Sequence, residues 1–255
     1  MSDAVLFDAR DDGIAVITLN RPEARNALGK DIRAGLYAAW NRFERDPALR
    51  VAILTGAGDK AFCAGGDLKE MTELGLQVPP RDMFPVPGDN LELTKPTIAA
   101  VNGVAFAGGW MIAQACDLCV ASTRAQFAVT EVKVGRSSPW AAPLIHMIPQ
   151  RIMMEILLTG KPINAQRAYE IGLVNRLTEP DALMAAAIAL AAEILDGAPL
   201  SVRAARETVM LATEMGRSAA LRAARQASES AYRSEDAREG PKAFAEKRRP
   251  QWQGR

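Results

Sequence analysis

Phe62-Cys63-Ala64-Gly65-Gly66-Asp67-Leu68 and Asn102-Gly103-Val104-Ala105-Phe106-Ala107-Gly108-Gly109 decide how this chain folds. Each follows a short apolar run, Val51 to Thr55 in the first case and Thr97 to Val101 in the second, and each leads into residues at helical spacing. Glycine at such a junction lets the backbone turn tightly and lets a bound group approach it closely. The first N–H groups of the helix that follows have no intrahelical acceptor, and they lie at the end where the macrodipole favours negative charge. Two such turns, each presenting one N–H to the same carbonyl oxygen, would make an oxyanion hole able to stabilise an enolate or a tetrahedral anion. Losing one donor of this kind typically costs about 2.7–4 kcal/mol of transition-state stabilisation, so a pair would carry much of a rate enhancement. The alternative is that both glycine pairs serve only to permit the turns.

Outward from these turns the chain alternates strands and helices. Ile14 to Leu19 reads as a strand, Leu36 to Phe43 has apolar residues at helical spacing, and Leu118 to Ala121 returns as a strand. Helices are expected from about Asp67 to Leu74, with Asp67 as a cap or first-turn acid, and from about Gly109 to Ala115. Short strands alternating with helices, without a long linker, give an α/β fold. From Ala182 to Arg249 the chain is rich in Ala, Arg, Glu and Leu. Helices are expected there from Ala182 to Leu195, Pro199 to Met215 and Ser218 to Ser234, with a last one after Gly240-Pro241. The irregular stretch between Gly75 and Pro96 contains Pro79, Pro80, Pro85, Pro87 and Gly88, and loops this long are usually functional or mobile.

Composition removes several function classes. Thirty-one basic and 30 acidic side chains nearly cancel, so no global field steers nucleic acid or a membrane surface toward the chain. The first helix mixes Lys30, Arg33, Arg42 and Arg45 with acids and shows no basic stripe. No apolar run reaches the ~18–20 residues of a membrane span, and Met1-Ser2-Asp3-Ala4 lacks the basic start of a signal peptide, so a cytoplasmic location is expected. Three cysteines do not make a disulfide framework. Cys116-Asp117-Leu118-Cys119 has C-x-x-C spacing, but a second ligand pair is missing and His146 is the sole histidine, so packed thiols are the better reading and no metal is expected. No G-x-S-x-G elbow and no G-x-G-x-x-G fingerprint occurs, which removes triad hydrolysis and nicotinamide chemistry.

The two turns, together with Asn20-Arg21-Pro22-Glu23-Ala24-Arg25-Asn26-Ala27-Leu28, Lys95 to Asp117, Gln126 to Gly135, Leu158 to Asn175 and Ala243-Phe244-Ala245-Glu246-Lys247-Arg248, resemble in order and spacing the crotonase (enoyl-CoA hydratase/isomerase) superfamily. The resemblance implies a spiral of stacked β-β-α turns over residues 1–180, and a helical region over 181–255 that builds a homo-trimer, often doubled to a hexamer. It implies an acyl-CoA thioester as substrate, with coenzyme A entering as part of the substrate and no separate cofactor. It makes the N–H groups of Gly66 and Gly108 the oxyanion donors. It places coenzyme A against Arg25, Ala27, the Ala64 carbonyl, Asp67 and Leu68, with Phe244 and Lys247 reaching the nucleotide end, sometimes from a neighbouring subunit. It also sets the stretch from Gly75 to Pro96 along the acyl pocket.

The acid/base residues discriminate within the superfamily. Hydratases resembling this chain carry one glutamate on the helix after the second glycine turn and another after the next strand. Here the first position is Met111 and the second is Glu131. One glutamate beside an enolate-stabilising hole can take a proton from one carbon and return it to another, so double-bond isomerisation fits best. Apolar neighbours such as Trp110, Met111 and Trp140 would raise the pKa of Glu131. Hydration through Glu131 alone and a noncatalytic acyl-CoA-binding trimer are the alternatives. The carboxylates of the aryl-CoA dehalogenases and naphthoate synthases would fall near Pro139 and Ser138, and neither is present. The stretch Gly135-Arg136-Ser137-Ser138-Pro139-Trp140 departs from the glycine-rich sequence of typical hydratases: Arg136 could meet a polar substrate group, a serine could hold water, or the segment could simply shape a loop.

Overall fold

The computed structural model describes residues 3–75 and 78–255. Leu76 and Gln77, inside the expected irregular stretch, and Met1 and Ser2 lie outside the described residues, as does the side chain of Leu68.

Strands β1 (Val5–Ala9) and β2 (Ile14–Leu19) form an antiparallel hairpin, and helix α1 (Lys30–Arg45) follows the Asn20 to Leu28 loop. The chain then repeats one unit. Strand β3 (Val51–Gly56) is followed by β4 (Ala61–Cys63) and α2 (Leu68–Leu74). Strand β5 (Thr97–Val101) is followed by β6 (Val104–Phe106) and α3 (Gly108–Gln114). Strand β7 (Leu118–Ser122) is followed by β8 (Gln126–Ala128) and a 3-10 turn, Glu131–Val134. The longer strand of each unit joins a six-stranded sheet, β1-β2-β3-β5-β7-β10, where β10 is Arg176–Thr178. The shorter strand joins a second sheet, β4-β6-β8-β9, where β9 is Ile163–Asn164. Every pair from β2 through β10 in the first sheet is parallel, and so are β4, β6 and β8 in the second. One strand per unit in each of two sheets is a spiral of β-β-α turns, and the α/β expectation holds.

The central strands β3 and β5 of the first sheet are buried on both faces, so they read as continuous apolar runs. Alternate residues still go to different partners. Ala15, Ile17, Leu19, Ala52, Leu54, Ala99 and Val101 pack with Ile32, Leu36, Trp40 and Phe43 of α1. Their neighbours Ile14, Val51, Ile53, Ile98, Ala100 and Val120 pack under α6 (Leu183–Leu195), against Leu183, Ala187, Leu190 and Ala191. Lys95 is buried and caps the carboxyl end of α1, donating from Nζ to the carbonyls of Phe43 at 2.8 Å and Asp46 at 2.7 Å.

Helices α4 (Gln150–Thr159) and α5 (Ala165–Glu170) flank β9. After α6 come α7 (Pro199–Glu214), α8 (Arg217–Ala227), α9 (Glu229–Arg233) and α10 (Asp236–Ala245). Two boundaries differ from expectation. The helix expected from Ser218 to Ser234 breaks at Ser228 into α8 and α9. The last helix starts before Gly240-Pro241 and runs through it. Its start is fixed by tertiary contacts that override the proline: buried Asp236 accepts hydrogen bonds from the Gln253 and Gly254 amides, at 2.6 and 2.9 Å, and Trp252 lies against Gly240. Arg206 on α7 ties the helical region to the sheets through Asp117, 2.8 Å from its Nε, and the Leu93 carbonyl. All three cysteines are buried free thiols, and burial pushes those of Cys63 and Cys119 up to about 12, which fits packing and not chemistry.

Candidate active site

Because β4, β6 and β8 are parallel neighbours, their carboxyl ends share one edge of the second sheet. Three connections leave that edge: Ala64 to Asp67, Ala107-Gly108, and Val129 to Glu131. In parallel sheets this edge is where ligands bind, because each strand delivers its following loop to the same place.

The first connection is held by a loop far away in sequence. Asn26 is fully buried with φ 54°; its Oδ1 accepts from the Arg21 amide at 2.9 Å, and its Nδ2 donates to the carbonyls of Ala57 at 3.0 Å and Ala61 at 2.9 Å. The loop so fixed reaches the turn twice, with Ala64 N donating to Arg25 O at 3.0 Å and Leu28 N to Gly65 O at 2.8 Å. Gly65 turns the chain at φ 105°, a conformation that favours glycine. The second connection turns at Ala107, whose φ of 49° and ψ of −122° are strained for a residue with a Cβ, and its amide is anchored on Ala128 O at 2.8 Å. Gly109 brings α3 onto β4 so closely that a Cβ there would lie 2.0 Å from Cys63 O.

These anchors set Gly66 and Gly108 side by side. A methyl group on Gly108 would lie 3.5 Å from the Gly66 amide nitrogen, and one on Gly65 would lie 3.5 Å from the Gly108 nitrogen. Among the described residues, neither amide donates in any turn, loop or cap hydrogen bond. Leu28, Met71 and Phe84 line the neighbouring space: Leu28 Cδ1 is 3.0 Å from the Cβ position of Gly108, and Met71 Sδ and Phe84 Cζ are 2.9 and 3.9 Å from that of Gly66. Phe84 belongs to the irregular stretch, which is tied down by its own contacts. Tyr37 Oη is 2.9 Å from Asp82 O, Asn90 Nδ2 donates to Phe84 O at 2.7 Å, and Arg81 pairs with Asp89 at 2.8 Å. Arg33 and Glu70, paired at 2.8 Å, hold α2 against α1 on the same side, and that pairing keeps the Glu70 carboxyl below the usual range.

Glu131 opens the 3-10 turn after β8. Its Oε1 accepts from Trp140 Nε1 at 2.9 Å, while Oε2 is buried with no partner. Burial raises its pKa, against the opposing effects of its own backbone amide, the Trp140 hydrogen bond and the Thr130 amide. Trp140 therefore acts on Glu131 as a donor, where the sequence suggested only an apolar wall. Its own carbonyl accepts from Gln114 Nε2 at 2.7 Å, which joins the 3-10 helix Pro139–His146 to the end of α3. Met111 on α3 is buried in the core, and Trp110, fully buried, sits edge-on to Phe127.

The residues the sequence suggests for coenzyme A are placed in two groups. Arg25 is exposed and lines a cavity of about 270 Å³ together with Pro22, Glu23, Asn26, Asp59 and Lys60. Ala27 and Ala64 are half-buried beside it, and Leu68 opens α2. The Asp67 carboxylate caps α2, accepting from the amides of Lys69 at 3.1 Å and Glu70 at 3.3 Å. Phe244 is 87% exposed near the end of α10, and Lys247 follows just beyond that helix.

The sequence profile of the enoyl-CoA hydratase/isomerase family matches residues 9–255, nearly the whole chain. The chain belongs to the enoyl-CoA hydratase/isomerase family. It is thus an acyl-CoA enzyme of the crotonase superfamily, in which relatives are named hydratases and dehydratases. It is 42% identical over 248 residues to (E)-benzylidenesuccinyl-CoA hydratase of Thauera aromatica, covering 94% of this chain and 96% of that one. It is 40% identical to the carnitinyl-CoA dehydratase of Citrobacter koseri over the full length of both. Among solved structures, the enoyl-CoA hydratase from Mycobacterium tuberculosis H37Rv superposes with a TM-score of 0.90 at 39% identity, with 99% of each chain covered.

Within this hydratase/isomerase chain, sequence reasoning overlooked Ala107, Gln114 and the donor role of Trp140. Alanine gives no hint that its backbone lies at positive φ, because that conformation is imposed by the Ala128 contact. Asn26 was visible only as part of the Asn20 to Leu28 stretch; an Asn among turn residues, tolerant of left-handed backbone, was the available signal.

Proposed function

We propose that this enzyme moves a proton between carbons of an unsaturated acyl-CoA, with Glu131 as the single acid/base and the N–H groups of Gly66 and Gly108 receiving the thioester oxygen. One observation carries the reading. Glu131 presents one buried, unpartnered oxygen at the strand edge that also carries the two free amides, while Met111 supplies no second carboxylate. For a 3-enoyl thioester, the carboxylate takes a proton from C2, negative charge moves onto the thioester oxygen, and the dienolate takes the proton back at C4 to give the 2-enoyl isomer. The two N–H groups favour the charged oxygen, and the raised pKa brings the carboxyl closer to its working pH. Arg25, Ala27, Ala64, Asp67 and Leu68 hold coenzyme A in this reading. Phe244 and Lys247 complete the nucleotide end for a neighbouring subunit of a homo-trimer or hexamer, and Met71 and Phe84 face the acyl group.

Hydration and dehydration form the second reading, favoured by the names of the relatives at 42% and 40% identity. Incubating the protein with paired 2-enoyl- and 3-enoyl-CoA thioesters and reading products by mass spectrometry separates the two. A shifted double bond at unchanged mass supports isomerisation, and a gain of one water supports hydration. No change in any thioester leaves acyl-CoA binding without catalysis. Glu131→Gln is expected to abolish turnover and spare coenzyme A binding, and a fully active E131Q would remove Glu131 as the base.

A further inference from the structure

We propose that Trp140 is a positioning residue, whose indole N–H fixes Oε1 of Glu131 and leaves Oε2 as the one atom that takes and returns the proton. The inference rests on the reading of Glu131 as the acid/base.

The two oxygens of Glu131 are not equivalent. Oε1 is 2.9 Å from Trp140 Nε1, and Oε2 is buried and unpartnered. An indole N–H donates only, and it does not titrate in the working range. A proton on Oε1 would face another N–H hydrogen, whereas a proton on Oε2 leaves the Trp140 bond intact. The tryptophan can therefore keep the same contact through both halves of the proton transfer and select the oxygen that reacts.

Trp140 is itself held. Pro139 begins its 3-10 helix with a restricted φ, and Gln114 Nε2 donates to the Trp140 carbonyl at 2.7 Å. Gln114 ends α3, the helix that Gly108 begins. The proposed oxyanion donor and the proposed base are thus joined through one short helix and two hydrogen bonds, Gln114 to Trp140 and Trp140 to Glu131. Such a linkage fixes the base relative to the thioester oxygen, and a misplacement of about 1 Å can cost on the order of 10²-fold in rate.

The charged groups nearby are otherwise engaged or on neighbouring turns. Lys133, on the same 3-10 turn, lies against Gly160, and Arg136 follows that turn. His146 ends the Trp140 helix, and Arg151 and Glu155 sit on α4. Arg136 has an interaction of its own. Burial and hydrogen bonds set the proton affinity of Glu131, and the indole of Trp140 supplies a side-chain hydrogen bond to its carboxylate.

The test is a pH series of kcat and KM for Trp140→Phe beside wild type and Glu131→Gln, on whichever thioester wild type converts. Losing a hydrogen bond to the ionised carboxylate raises its pKa further. The acid limb of kcat should therefore move to higher pH, with kcat at neutral pH down about tenfold to a hundredfold and KM little changed. A purely structural tryptophan would lower yield or Tm and leave the limb where it was. If W140F does not fold, a tryptophan isostere with sulfur in place of the N–H, placed at position 140, decides the question. A folded variant with the wild-type acid limb and kcat overturns the proposal. If E131Q stays active, the Glu131 reading fails; if E131Q is dead while W140F matches wild type, only the role of Trp140 fails.

Discussion

At the scale of single residues, Glu131 combines the proposed acid/base task with a cost to the fold. Its folded-state pKa lies above the ordinary carboxylate value because burial disfavours the charge. The native state then holds the proton more tightly than the unfolded chain. The ionised form lowers stability at pH above the raised pKa, and that loss disappears below the unfolded value. Glu131→Gln should accordingly be at least as stable as wild type at neutral pH, with the difference closing as the pH falls through the raised pKa. Thermal unfolding of both proteins across pH 4 to 8, roughly the span above an ordinary glutamate pKa, checks this. A marked loss of Tm in E131Q at neutral pH would contradict it. Gly108→Ala tests the neighbouring group. Its methyl would sit 3.5 Å from the Gly66 amide and 3.0 Å from Leu28 Cδ1, inside the space proposed for the thioester oxygen. With no positive φ to violate, the variant should fold and lose about 10²–10³ in kcat.

At the scale of elements, the Asn20 to Leu28 loop acts as a clamp on the first glycine turn. Asn26→Ala would remove the side-chain partner of the Ala57 carbonyl and the Arg21 amide, would leave the Ala61 carbonyl only the longer bond from Asn102 Nδ2 at 3.4 Å, and would place alanine at φ 54°. Unsatisfied buried groups cost about 1–3 kcal/mol each, and water or relaxation recovers part of that, so a loss of about 2–4 kcal/mol in chemical denaturation is expected. Since the same loop bonds Ala64 and Gly65, activity should fall more steeply than stability alone explains. The elements themselves were unevenly legible. The strand from Ile14 to Leu19, the helix ends at Leu195 and the cap at Asp67 follow from apolar runs and capping chemistry. β4, β6 and β8 have three residues each, too few to show a period of two, so the second sheet was legible only through the family resemblance.

At the scale of the whole molecule, the C-terminal helices leave apolar side chains outside. Val209 is 60% exposed, Leu221 55%, Tyr232 81% and Phe244 87%. Scattered exposure needs no explanation, but four large side chains on successive helices match the proposed subunit contacts. Sedimentation should give three or six times the chain mass, and a monomer would leave these faces without the proposed role. Lys247→Ala then separates the two parts of the coenzyme A site. It should raise KM for the acyl-CoA about tenfold with kcat unchanged, as for one lost charge-assisted hydrogen bond. An unchanged KM would remove Lys247 from the site.

The sequence by itself determined the α/β class and the two glycine turns, and it places Glu131 at one of the acid/base positions that the family resemblance implies and Met111 at the other. These depend on local matters: apolar period, backbone freedom at glycine, and the presence or absence of a titratable group. Only the tertiary structure decided that the two turns stand side by side, that Ala107 lies in strained backbone, and that Trp140 bonds one oxygen of Glu131 and leaves the other bare. Each of these is a relation across strands or helices, created when β4, β6 and β8 align their carboxyl ends, and no spacing within a single segment encodes it.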